Sequence, residues 1–262
     1  MSFSARVGAV FVLVLGQVAC GKAADPAAAA EGERPAVIRT FEEKGLDVMG
    51  EFEAPGGLRG FAGLAGNGPV AIYVTPDGQH AIVGTLLDAQ GEDVSAANLQ
   101  RLVVMPISER IWGQLEQTKW VLDGKADAPR VVYAFTDPNC PYCHRFWEAS
   151  RRWIESGKVQ IRHIMVGVIR ADSPNKAAAI LMAASPSEAL ALNEERQAQG
   201  GIEGLAEIPA DARASLDANE KLMADLGVQG TPGILYRDEA GAVQSQVGMP
   251  APEDMATVLG PF

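Results

Sequence analysis

Cysteine is scarce in this chain. Among 262 residues there are three, Cys20, Cys140 and Cys143, and histidine is equally rare, at His80, His144 and His163. That scarcity excludes a small scaffold held together by several well-separated disulfides. It also leaves a zinc centre without the second ligand pair that such sites use. Basic residues are outnumbered, 22 against 33 acidic, for a net charge of -11. A protein that binds nucleic acid through its phosphates needs a basic face, so nucleic acid is excluded as a partner. The apolar run Val7 to Leu15, VGAVFVLVL, is too short to span a bilayer as a mature helix.

What is present is ordinary globular material. Hydrophobic residues make up 47% and mean hydropathy is +0.03, enough to bury a core without covalent staples. The N-terminus reads as an export signal over 1–22, with Arg6 as the positive end and Val7 to Leu15 as the apolar stretch. Cys20 follows Val18 and Ala19 and precedes Gly21, which resembles a lipoprotein cleavage box, although Gln17 stands where an aliphatic residue is usual. Cys20 is therefore either lipidated or discarded with the signal. Residues 23–36 lack apolar periodicity and read as a flexible tether.

Residues 37–103 read as a small α+β module. PAVIRTFEEKG suggests a short helix stopped by Gly45, and two β-rich runs flank a tight turn at Pro76-Asp77-Gly78. His80, beside that turn, reads as a strand residue and not a ligand. Ile107 to Leu122 reads as a helix with Ile111, Leu115 and Leu122 on one stripe, broadened by Trp112 and Trp120. Bracketed by Pro106 and Gly124, it suits a helical linker over 104–124. Over 125–262 the pattern changes to β-α-β, then several helices, then β-β-α. This is a thioredoxin arrangement with a helical insertion. PRVVYAFTDP is its buried central strand. The helix that follows presents Phe146, Trp147, Ser150, Trp153 and Ile154 along one face.

Cys140 and Cys143 lie at the start of that helix, separated by Pro141 and Tyr142. A structural staple closing so short a loop stabilises little. The redox reading has positive support. Cys140 falls at the helix N-cap, where free N–H groups and the helix dipole favour a thiolate. Pro141 fits the first turn, which needs no N–H from it. Cys143, one turn further in, is placed to resolve a mixed disulfide formed by Cys140. His144 either supports the thiolate when protonated or is a solvated helix residue. Asp137 is either a turn residue or a polar neighbour of Cys143. Thr231-Pro232, within GTPG ahead of the penultimate strand, suggests a cis peptide on a loop facing the cysteines, where an extended client peptide would bind.

Longer blocks carry a family resemblance from about Val37 to the C-terminus: FEAPGGLRG, IYVTPDGQHAI, WVLDGKADAPRVVYAFTDPNCPYC, SGKVQIRHIMVGVIRADSP, NEKLMADLG and TPGILY. The chain resembles the DsbC/DsbG group of bacterial periplasmic disulfide isomerases and reductases. That resemblance implies an N-terminal cystatin-like dimerisation domain, a helical linker and a C-terminal thioredoxin domain. It implies a V-shaped homodimer with both active sites facing a cleft. By the same resemblance Cys140 and Cys143 are the redox pair and Thr231-Pro232 the cis-proline loop. The partners implied are oxidised or misfolded client proteins and a DsbD-type inner-membrane electron donor. Reduction of cysteine sulfenic acids is a further implied activity. Asn139 departs from the larger residue often found there in the family. The chemistry requires no small-molecule cofactor. Three rivals stay open: an oxidant that donates disulfides, a chaperone-like module that holds clients without chemistry, and a zinc-binding module.

Overall fold

The computed structural model describes residues 34–66 and 68–261. The export segment, Cys20 and most of the expected tether lie outside the described residues. Ala36, at the tether's expected end, already belongs to a helix.

The first layer is α1 (Ala36–Glu43) against a four-stranded antiparallel sheet in the order β1 (Asp47–Glu53), β2 (Arg59–Ala65), β3 (Gly68–Val74), β4 (Ala81–Val83). The turn at Pro76-Asp77-Gly78 joins β3 to β4, closed by Gly78 N–H donating to the Thr75 carbonyl at 2.8 Å. Gly78 takes φ +68°, which a side chain would resist. His80 sits in that turn, just ahead of β4, instead of within the strand. Its Nδ1 lies 3.5 Å from Asp77 Oδ2 in solvent. One face of the sheet buries Val48, Phe61, Ile72 and Val74 beneath Ile38 of α1. Phe52, Ala62, Ala71 and Tyr73 pack around Val103 on the other.

The helix expected over Ile107 to Leu122 is shifted toward the N-terminus. It begins with α2 (Ala96–Leu99), passes through a π-helical turn at Gln100–Val104, and continues as α3 (Met105–Glu116). Pro106 reads as a start signal because it lacks an N–H. The wider turn before it absorbs the missing hydrogen bond, so the helix passes through. At the other end, Thr118 Oγ1 donates to the Leu115 carbonyl at 2.7 Å and the helix stops. Trp120 and Leu122 therefore belong to a strand, β5 (Trp120–Gly124), which pairs Trp120 with Ile164 and Asp123 with Ile161.

That strand is one edge of a five-stranded sheet in the order β5, β7 (Val159–Met165), β6 (Arg130–Thr136), β8 (Gly233–Arg237), β9 (Val243–Val247). β6 runs parallel to β7 and antiparallel to β8. The parallel pair requires a crossover, supplied by α4 (Pro141–Glu155). Alternate residues of β6 serve opposite layers. Val132 and Ala134 face Phe146, Trp153 and Ile154 of α4 and Val258 of α8 (Met255–Leu259). Tyr133 and Phe135 face Trp112 and Leu115 of α3 and Met223 of α7 (Ala210–Asp225). Between β7 and β8 the chain forms α5 (Ser173–Met182), α6 (Pro186–Glu195) and α7, with Ile180, Leu181, Leu190, Ala212 and Leu216 in a third cluster. Burial pushes the Asp123 carboxyl of β5 up, but His163 of β7 and then Arg151 of α4, which pairs with it, outweigh burial and hold it down at about 2.

Candidate active site

β6 ends at Thr136, and α4 begins at Pro141 with Cys140 as its N-cap, in extended conformation at φ -80° and ψ 116°. The Cys143 N–H points back to Cys140 Sγ at 3.4 Å, as the helix-start reading requires. Both cysteines are free thiols, and each is only 3% exposed. Accessibility therefore does not distinguish the two cysteines. In the structure the asymmetry lies in the environments of the two sulfurs, with Pro141 and Tyr142 forming the exposed rim beside Cys140.

The Thr231–Pro232 peptide is cis, and its loop meets the cysteines. Cys140 Sγ donates to the Thr231 carbonyl at 3.2 Å. Thr231 Oγ1 is buried and has no fixed partner, so its hydroxyl is free to turn toward a thiolate. Gly233 completes the loop without a side chain because a Cβ there would lie 2.2 Å from Val228 Cγ1. Sequence reading thus placed Cys140, Pro141, Tyr142, Cys143, Thr231 and Pro232 in regions that the fold brings together.

The two thiols are driven apart in acidity. Hydrogen bonding from the Cys143 thiol is the largest influence on Cys140. With help from Thr231 and the backbone N–H groups of Cys143 and Tyr142, it outweighs burial and lowers the Cys140 pKa to about 6. Cys143 moves the other way. Burial, then the thiol and charge of Cys140, push it well above its ordinary value. One sulfur is a ready thiolate near neutral pH and the other holds the proton.

His144 meets other groups. Its Nδ1 lies 3.2 Å from Glu194 Oε2, its Nε2 lies 3.5 Å from Glu148, and its ring stacks on Trp147. It is absent from the influences that lower Cys140. Burial raises the Glu194 carboxyl above its usual range, against the pull of His163, Asn193 and His144.

Several residues of the site carry no local sequence signal. Asn193 Nδ2 donates to the Pro138 carbonyl at 3.0 Å. Lys176 Nζ donates to Asn139 Oδ1 at 2.8 Å, and Asn139 Nδ2 donates to Ser173 Oγ at 2.9 Å. The Asp137 carboxylate organises the loop, as the turn reading has it, and it is the Asp137 main chain, not its carboxylate, that lies near Cys143. Among the described residues no group of three or more His, Cys, Asp or Glu is arranged to hold a metal ion.

Comparison with known proteins agrees with this geometry. A thioredoxin-like domain model matches residues 123–261. The chain is 49% identical over 234 residues to the thiol:disulfide interchange protein DsbG of Pseudomonas aeruginosa, covering 89% of this chain and 91% of that one. It is 40% identical to DsbG of Escherichia coli, covering 90% and 95% of the respective chains. The thiol:disulfide interchange protein DsbC of Dickeya dadantii is more distant, 25% identical over 88% of each chain. A reactive, N-capping thiol paired with a buried one, on a thioredoxin-like domain and at these identities, establishes that the chain belongs to the DsbG family of thiol:disulfide interchange proteins.

Proposed function

We propose that this protein works in the periplasm as a dithiol that reduces or reshuffles disulfides in client proteins and reduces cysteine sulfenic acids. The observation that carries the reading is the split acidity of Cys140 and Cys143 beside the Thr231 carbonyl. The Cys140 thiolate attacks a client disulfide. A Cys140–client bond forms, and the displaced client sulfur leaves with the electron pair. Cys143 then attacks Cys140, releasing reduced client and leaving the Cys140–Cys143 disulfide. If Cys140 instead joins the wrong client cysteine and is displaced by another, the disulfide moves without net electron transfer. A stabilised thiolate favours the dithiol form of the pair, which suits recharging by a DsbD-type donor. Against a sulfenic acid, the same thiolate attacks the client sulfur, hydroxide leaves and takes up a proton to become water, and Cys143 resolves the resulting mixed disulfide.

A homodimer formed through the N-terminal cystatin-like module is part of this reading. The two edges of the first sheet differ. The exposed positions of β1 are Asp47, Glu51 and Glu53, charges that discourage pairing. At the other edge, β4 leaves Ile82 60% and Val83 50% exposed, with Leu87 57% exposed after it. Apolar exposure at an open edge suits a second copy of the sheet. The double variant Ile82→Asp/Val83→Asp is expected to run as a monomer in light scattering. It should keep a Cys140 that alkylates normally and lose most of its ability to reactivate a scrambled multi-disulfide protein. A wild-type protein that is already monomeric, or a monomeric variant with full isomerase activity, would contradict the dimer reading.

A further inference from the structure

Asp137 is fully buried, and its carboxylate takes four donors. Asn139 N–H and Ser173 Oγ–H donate to Oδ1, each at 2.8 Å. Val168 N–H at 2.7 Å and Ile169 N–H at 2.9 Å donate to Oδ2. One side chain therefore ties the end of β6, the segment after β7 and the start of α5. Gly167, just before the second of these, has no room for a side chain, since a Cβ would lie 2.7 Å from Pro174. The main chain of Asp137 touches the chemistry. Its carbonyl accepts the Cys140 N–H at 3.0 Å, and its own N–H lies toward Cys143 and favours that thiolate.

We infer that Asp137 is a positioning residue for the resolving step, its carboxylate pinning the peptide that borders both cysteines so that Cys143 stays aligned with the Cys140 sulfur. This rests on the order of attack proposed above. In resolution Cys143 gives up its proton and its sulfur attacks Cys140 Sγ. The Cys140–client bond breaks as the Cys140–Cys143 bond forms. The client sulfur leaves with the electron pair and takes a proton from water. The attack must be in line with the breaking bond, so small displacements are costly. Burial keeps the Cys143 thiolate scarce, so a larger thiolate population cannot compensate for misalignment. Cys140 attack depends on Cys143, Thr231 and local N–H groups, and should depend less on Asp137.

Asp137→Asn separates positioning from charge. The new amide has one acceptor oxygen and one donor nitrogen, so one pair of N–H or O–H donors is left facing a donor. Lost positioning slows resolution. Loss of a buried negative charge, acting alone, would ease ionisation of Cys143 and speed it.

The test uses reduced full-length protein and oxidised glutathione, with acid quenching and mass analysis of the Cys140–glutathione adduct. For Asp137→Asn the adduct is expected to form within about twofold of the wild-type rate and to persist on the order of tenfold longer. Ser173→Ala, which removes one of the four donors, is expected to lengthen its life by a smaller factor. Resolution by a folded Asp137→Asn variant at the wild-type rate or faster overturns the inference. Should that variant fail to fold, an unchanged adduct lifetime in Ser173→Ala overturns it. If the wild-type protein yields neither the adduct nor the Cys140–Cys143 disulfide, the dithiol mechanism itself fails, which is a distinguishable result.

Discussion

Cys140→Ser is expected to reduce disulfide exchange by on the order of a thousandfold or more, because a serine hydroxyl supplies no nucleophile for sulfur near neutral pH. Cys143→Ser should behave differently. It keeps the attacking sulfur and loses the resolving one, so protein clients should accumulate joined to Cys140. The difference tests the assignment of roles, which follows from Cys140 being the depressed thiol and Cys143 the raised one. Clients trapped by Cys140→Ser and not by Cys143→Ser would reverse it. The doubly substituted Cys140→Ser/Cys143→Ser protein addresses the chaperone-like rival. Complete loss of function in cells supports the enzyme, and complete retention supports a module that binds clients without chemistry.

Alkylation of reduced protein with iodoacetamide is expected to rise about tenfold per pH unit and to level off near pH 6, the pKa to which Cys140 is lowered. At pH 7 such a thiol is about nine-tenths thiolate, against about one per cent for a thiol titrating near 9. The gain in attack rate is smaller than that ratio. Intrinsic nucleophilicity falls with pKa by roughly half a log unit per unit, so about a threefold net advantage remains. The larger consequence is at other steps, since a low-pKa sulfur is a good leaving group and a stable end state. The folded pKa lies below the unfolded one. The thiolate therefore stabilises the folded dithiol fully above about pH 9, and this contribution is lost as pH falls through about 6. Cys143→Ala should move the alkylation midpoint upward, because hydrogen bonding from Cys143 is the largest influence lowering it. A wild-type midpoint near 9 would contradict the depressed thiol.

Those residues were legible in the sequence because their signals are local. A thiol at a helix N-cap, a proline in the first turn and a Thr-Pro pair entering a strand each follow from the chain on either side. The central strand β6 was legible from its unbroken apolar run. Trp120 and Leu122 were misread as helical for a physical reason. Leu122 fits the helical stripe of Ile111 and Leu115, and Trp120 reads as broadening it; what places both in a strand is the pairing of β5 with β7, about forty residues away in sequence. Likewise Pro106 signals a helix start, and only the packed π-helical turn shows that the helix passes through it. The supports of the redox loop were out of reach on the same grounds. Ser173, Val168 and Ile169 meet Asp137 from 31 to 36 residues away, and no pattern around Asp137 specifies them.

The central claim is that Cys140 and Cys143 work as a dithiol held reduced for attack on clients. Acid quenching of living cells, followed by alkylation with a bulky thiol reagent, reads that state from a gel shift. The account predicts that both cysteines are mostly alkylated, hence reduced, and that they turn oxidised when the membrane electron supply is removed. A pair found mostly as the Cys140–Cys143 disulfide in untreated cells would contradict it and identify the protein as a donor of disulfides.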